Sequence, residues 1–111
     1  MTTDLTQKKC RPCEGGTKPF DESQIREYLK SVPGWTYEKG CIVKTFSFKN
    51  YYETVSFVNA AAWIAHREDH HPEISFGYKN CRIEYSTHAV KGISVNDFIC
   101  AAKIDQLLER D

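Results

Sequence analysis

All four histidines of the 111-residue chain fall between His66 and His88. His66 and His70 are one helical turn apart, so a helix would place them on one face, flanking an apolar stripe near Trp63. His71 leaves that face, because Pro72 forces the chain out of helix. His88 ends a strand that an antiparallel sheet can bring back beside the end of the helix. Several imidazoles therefore gather at one rim of the sheet, near Trp63, Phe76 and Tyr78. Imidazole titrates near about pH 6.5, so one ring can give a proton while its neighbour accepts one at neutral pH. That suits acid–base chemistry in which a hydroxyl leaves as water and a proton is lost nearby. His66, His70 and His88 could equally form a zinc set, although Arg67-Glu68-Asp69 between the first two does not give His-Glu-x-x-His. A third reading makes them polar residues at a helix end, where the dipole favours histidine. Spacing alone leaves the three readings open.

The elements that must carry these residues follow from patterning. Asp21 with Gln24 has the capping-box spacing, and Phe20 with Ile25 the staple spacing, so a short helix starts there and ends at Pro33-Gly34. Residues 35–38 and 41–48 read as two strands around Lys39-Gly40, an antiparallel hairpin. Tyr51, Val55, Val58, Ala62 and Ala65 make one apolar stripe on a long helix over 51–69. Residues 74–78 and 81–87 read as two more strands around Lys79-Asn80. Cys81, Ile83, Tyr85 and Thr87 share one face of the last strand, and Arg82, Glu84, Ser86 and His88 the other. Ser94-Val-Asn-Asp97 again has capping-box spacing and opens a final helix over 95–109. The order α-β-β-α-β-β-α predicts an α+β fold, a four-stranded antiparallel sheet with helices on one face. The other face and the sheet edges stay open, which predicts a homodimer or homotetramer.

Composition narrows the partners. Lys plus Arg and Asp plus Glu each number 15, for no net charge. Nucleic acid and anionic membrane surfaces both ask for excess base, so neither is expected as a partner. No apolar run approaches the ~20 residues that cross a bilayer, and the first residues lack a secretory apolar core. The cysteines number five, an odd count that suits free thiols in a reducing compartment, cytoplasmic or nuclear. Residues 1–19 hold few large apolar side chains and read as a flexible tail before a single domain over 20–111. Within that tail, Cys10 and Cys13 form a C-x-x-C pair with no second pair to complete a zinc ribbon. It reads first as having no chemical role, with metal capture or a labile disulfide as alternatives.

His70-His71-Pro72, Tyr78, Thr87-His88 and Asp97, at these spacings, resemble the signature of the pterin-4a-carbinolamine dehydratase family. Pro33-Gly34-Trp35, Phe46-Ser-Phe48, Gly92-Ile-Ser and the run from Ala101 to Leu107 extend the resemblance over most of residues 20–108. It implies the same α+β fold. It also implies dehydration of 4a-hydroxytetrahydropterin to quinonoid dihydropterin, downstream of an aromatic amino-acid hydroxylase, without cofactor or metal. The family's catalytic triad falls on His70, His71 and His88, with His66, Trp63, Tyr78 and Asp97 as substrate-binding or supporting positions. His70 and His88 are then the acid–base pair, and His71 holds the pterin. His66 stands where many members carry Glu. Asp97 has a second reading, as the third residue of a helix cap, and Trp63 and Tyr78 have one as core packing. Two other functions compete: a protein-binding module that helps a transcription factor dimerise, and a metal hydrolase built on His66, His70 and His88.

Overall fold

Asp21 starts the first helix, α1 (Glu22–Leu29), by accepting from the Gln24 amide at 2.9 Å while the Gln24 side chain accepts from the Asp21 amide at 3.0 Å. The computed structural model describes residues 5–12 and 17–109. After α1 come β1 (Thr36–Glu38), β2 (Cys41–Ser47), α2 (Tyr51–Glu68), β3 (Glu73–Phe76), β4 (Asn80–Tyr85), a short 3-10 turn (His88–Val90) and α3 (Val95–Gln106). The strands form one antiparallel sheet in the order β1-β2-β4-β3. β2 and β4 are its centre, paired from Ile42 opposite Tyr85 to Ser47 opposite Asn80. The expected order of elements holds throughout.

The core lies between one face of this sheet and the helices. Ile42, Phe46, Cys81, Ile83 and Tyr85 project from the strands onto Ile25, Phe57, Phe98 and Ile99. Cys81, Ile83, Tyr85 and Thr87 are all buried, as alternation requires. No helix among the described residues is long and apolar enough to cross a membrane.

Two expectations fail. The first is the stripe on α2: the buried positions are Thr54, Phe57, Ala61, Ala65 and Glu68, while Tyr51 and Ala62 are exposed. An apolar count overlooks polar side chains that are buried with their partners. Thr54 Oγ1 donates at 2.9 Å, with the carbonyls of Asn50 and Tyr78 both in reach. Glu68 accepts from Lys103 Nζ at 2.6 Å and from the Cys10 amide at 2.8 Å. The second is the tail. Residues 5–12 pack on the fold instead of standing apart from it, with Leu5 in the core cluster and only 4% exposed. Their backbone is captured by buried side chains: Glu68 takes the Cys10 amide, and Asn96 brackets Arg11, accepting from its amide at 3.1 Å and donating to its carbonyl at 2.7 Å. Residues 1–4 and 13–16, and with them Cys13, lie outside the described residues.

Candidate active site

Three breaks in regular structure bring the histidines together. The first ends α2. Asp69 adopts a left-handed conformation at φ 52°, and the His70 amide donates back to the Ala65 carbonyl at 3.1 Å. This C-cap turns His70 inward. His66 and His70 therefore do not share a helix face: His66 stays exposed on α2 with its ring 5.1 Å from Trp63, whereas the His70 side chain is 13% exposed. The second break is Pro72, which sends His71 out towards β3. The third follows β4: Thr87 pairs with Gly92 across a tight loop, and His88 opens the 3-10 turn within it. That turn, not the strand, sets the His88 ring 6.4 Å from His71.

Asp97 is the buried anchor. It stands at the third position of α3, fully buried, and its Oδ2 accepts from the Ser94 amide at 2.9 Å and from Thr87 Oγ1 at 2.8 Å. The Thr87 proton is used on Asp97, so the Ser94 hydroxyl donates to Thr87 Oγ1 across 2.8 Å. Oδ1 is left for His70 Nε2 at 2.7 Å, a short charge-assisted contact. Asp97 closes the helix start with one oxygen and meets His70 with the other. Burial disfavours the charged ring of His70, but the Asp97 hydrogen bond and charge outweigh it, and His70 titrates above the ordinary histidine value. The Tyr85 ring lies nearly parallel to the imidazole, 5.3 Å away, and closes its other side.

His70, His71 and His88 line one cavity of about 360 Å³, and Cys10, Arg11 and Pro12 form its opposite wall. A wider hollow of about 770 Å³ shares Arg11, Pro12 and Asn96 with this cavity but contains no histidine. His66, Trp63 and Tyr78 are not part of the cavity lining. Trp63 and Tyr78 are 60% and 63% exposed, so the core-packing reading fails for both. Trp63 faces outward on α2, and Tyr78 sits in the β3–β4 turn. Among the described residues no three His, Cys, Asp or Glu side chains converge as a metal set, and the trio of His66, His70 and His88 is not assembled.

Sequence reasoning did not assign roles to Thr87, Tyr85 or residues 10–12. The first two carried a signal: alternation puts both on the buried face, and a buried hydroxyl must find a partner. The wall of residues 10–12 carried none, because its anchors are Glu68 and Asn96, far away in sequence.

Comparison with known proteins bears on the same residues. The family model for pterin 4 alpha carbinolamine dehydratase matches residues 18–107, which include His70, His71, His88 and Asp97. A protein of Nitrosospira multiformis named for pterin-4-alpha-carbinolamine dehydratase is 56% identical over 106 residues, covering 96% of this chain and 94% of its own. One from Legionella pneumophila with the same name is 50% identical over 111 residues, covering 97% and 98%. Among solved structures, a transcriptional coactivator/pterin dehydratase from Brucella melitensis superposes with a TM-score of 0.79 at 28% identity, over 83% of this chain and 100% of that one. A pterin dehydratase-like protein described as a RuBisCO assembly factor in the alpha-carboxysome gives 0.59 at 26% identity, over 68% and 89%. With most of its length matched by the family model and by relatives at this identity, the chain belongs to the pterin 4 alpha carbinolamine dehydratase family.

Proposed function

We propose that this protein dehydrates 4a-hydroxytetrahydropterin to quinonoid dihydropterin, with its histidines as acid and base. The observation that carries this reading is the 2.7 Å contact between His70 and the buried Asp97, in a cavity shared with His71 and His88. In the reaction the C4a–O bond breaks as the departing hydroxyl takes a proton and leaves as water. The N5–H bond then gives up its proton, and its electrons form the C4a=N5 double bond. His70, kept charged by Asp97, is the donor to the hydroxyl, through the ring nitrogen that Asp97 does not hold. His88 accepts the N5 proton, and His71 beside it holds the pterin. Each positioned transfer can supply roughly 10²–10⁴-fold. A link to an aromatic amino-acid hydroxylase, which would generate this substrate, belongs to the same proposal.

The test is the rate of dehydration of freshly generated 4a-hydroxytetrahydropterin, with a chelator present. His70→Ala and His88→Ala should each lower kcat by about 10²–10⁴-fold with little change in KM. His71→Ala should act mainly on KM. A His71→Ala enzyme that binds normally but turns over worst of the three would overturn this division of labour.

A second reading rests on the surface away from the cavity. Tyr51, Tyr52 and Phe76 are exposed and adjacent, with ring centroids 6.3 and 6.5 Å apart along the group, at the start of α2 and on edge strand β3. Such a patch suits self-association, the homodimer or homotetramer expected from the open sheet edges. It would also suit a protein-binding role; the two solved neighbours are described as a transcriptional coactivator/pterin dehydratase and as a RuBisCO assembly factor. Sedimentation of wild type and Tyr52→Asp separates the oligomer from the monomer.

A further inference from the structure

Cys10 and Cys100 approach to 3.5 Å between sulfurs, although they lie 90 positions apart in sequence. Their settings differ. Cys100 is buried on α3, one turn beyond Asp97. Cys10 is partly exposed and belongs to the wall of the histidine cavity. The backbone around Cys10 is already fixed, by Glu68 at its own amide and by Asn96 at Arg11. The sulfur also lies 3.5 Å from the Asn96 carbonyl. A disulfide needs the two sulfurs to close from 3.5 Å to about 2.05 Å.

We propose that Cys10 and Cys100 are a redox-active thiol pair that exchanges with a low-molecular-weight disulfide of the glutathione class, and that the bond so formed pins residues 10–12 as the wall of the cavity. Exchange begins at the accessible sulfur. The Cys10 thiol, which Cys100 and burial hold in its protonated form, gives up its proton to solvent, attacks one sulfur of the small disulfide, forms a mixed disulfide and expels one thiolate. The Cys100 thiolate then attacks the Cys10 sulfur and expels the second. The protein loses two thiol protons and two electrons, and the small disulfide is reduced to two thiols. The bond ties the cavity wall to the helix that carries Asp97, and so couples the redox state of the surroundings to the shape of the site. None of this depends on which substrate the cavity takes.

The test uses the full-length chain with Cys13→Ser, which removes the neighbouring thiol of the C-x-x-C pair, equilibrated in glutathione buffers of graded potential. Intact mass should fall by about 2 Da on oxidation, and dithiothreitol should reverse it. Peptide mapping should find Cys10 joined to Cys100. Exchange of the Cys10 and Arg11 amides should slow by about 10-fold or more in the oxidised form, and Tm should rise by at least about 5 °C. Cys100→Ser should stop at a glutathione adduct on Cys10. Should that core variant fail to fold, Cys10→Ser should form neither adduct nor bond. The proposal is overturned by a lasting adduct on Cys10 with Cys100 still present, by no change of mass at any potential, or by a Cys10–Cys100 bond that leaves amide exchange unchanged.

Discussion

His70 gains its character from a residue 27 positions later in the chain. Its ring loses solvation and would on that account favour the neutral form, yet Asp97 reverses the balance. Because folding raises this pKa, the His70–Asp97 contact contributes stability in full below about pH 6.5, the unfolded value, and loses it as pH rises through the folded value. Urea unfolding at a series of pH values should show stability declining across that window, and the decline should be absent in His70→Phe. Asp97→Ala removes the acceptor for His70, Thr87 and the Ser94 amide together, and should cost about 3 kcal/mol in urea unfolding. Part of this was legible in sequence: the resemblance to the family signature picks out His70, His71, His88 and Asp97, where spacing alone leaves the role of the histidines open. The pairing of His70 with Asp97 was not, because no local pattern reports which carboxylate a turn will bring beneath a ring. His66 misled for a related reason, since helical spacing from His70 holds only while the helix continues, and Asp69 ends it.

The elements act on the site through their ends. The left-handed cap at Asp69, the bridge from Thr87 to Gly92 and the capping box at Ser94 together deliver His70, His88 and Asp97 to one place. Gly92 is constrained by the segment before α1: a Cβ there would stand 2.8 Å from Pro19 Cβ, closer than carbons approach. Gly92→Ala should therefore destabilise by about 1–3 kcal/mol, and because the displaced loop carries His88, activity should fall as well. Thermal unfolding with a parallel activity assay checks both. Asp21→Ala removes only the cap of α1, remote from the histidines, and should cost about 1 kcal/mol with kcat unchanged. Both capping boxes and all four strands were readable from residue order, because turn and cap chemistry is local. The facing of α2 was not. Its inner positions include Thr54 and Glu68, whose burial depends on partners at Tyr78, Lys103 and Cys10 that no helical wheel contains.

At the scale of the whole molecule, a small antiparallel sheet covered by helices on one face serves as the platform, and the cavity opens where the strand ends meet the helix ends. Ile83 sits at its centre on β4, fully buried. Ile83→Ala should cost about 3 kcal/mol, lowering Tm while leaving the pH profile of activity in place. The architecture was legible because hairpins and a two-residue alternation define an antiparallel sheet almost by themselves. The docking of residues 5–12 was not, since composition there signals a loose segment and only three-dimensional placement supplies its anchors. Whether His70, charged by Asp97, gives the proton in dehydration is decided by the pH dependence of kcat for wild type and Asp97→Asn on 4a-hydroxytetrahydropterin. Activity should fall in alkali as His70 loses its proton, and in Asp97→Asn this fall should move to lower pH while kcat drops about 10²-fold. Superimposable profiles for the two proteins, or no acceleration over the spontaneous reaction, would contradict this role of His70.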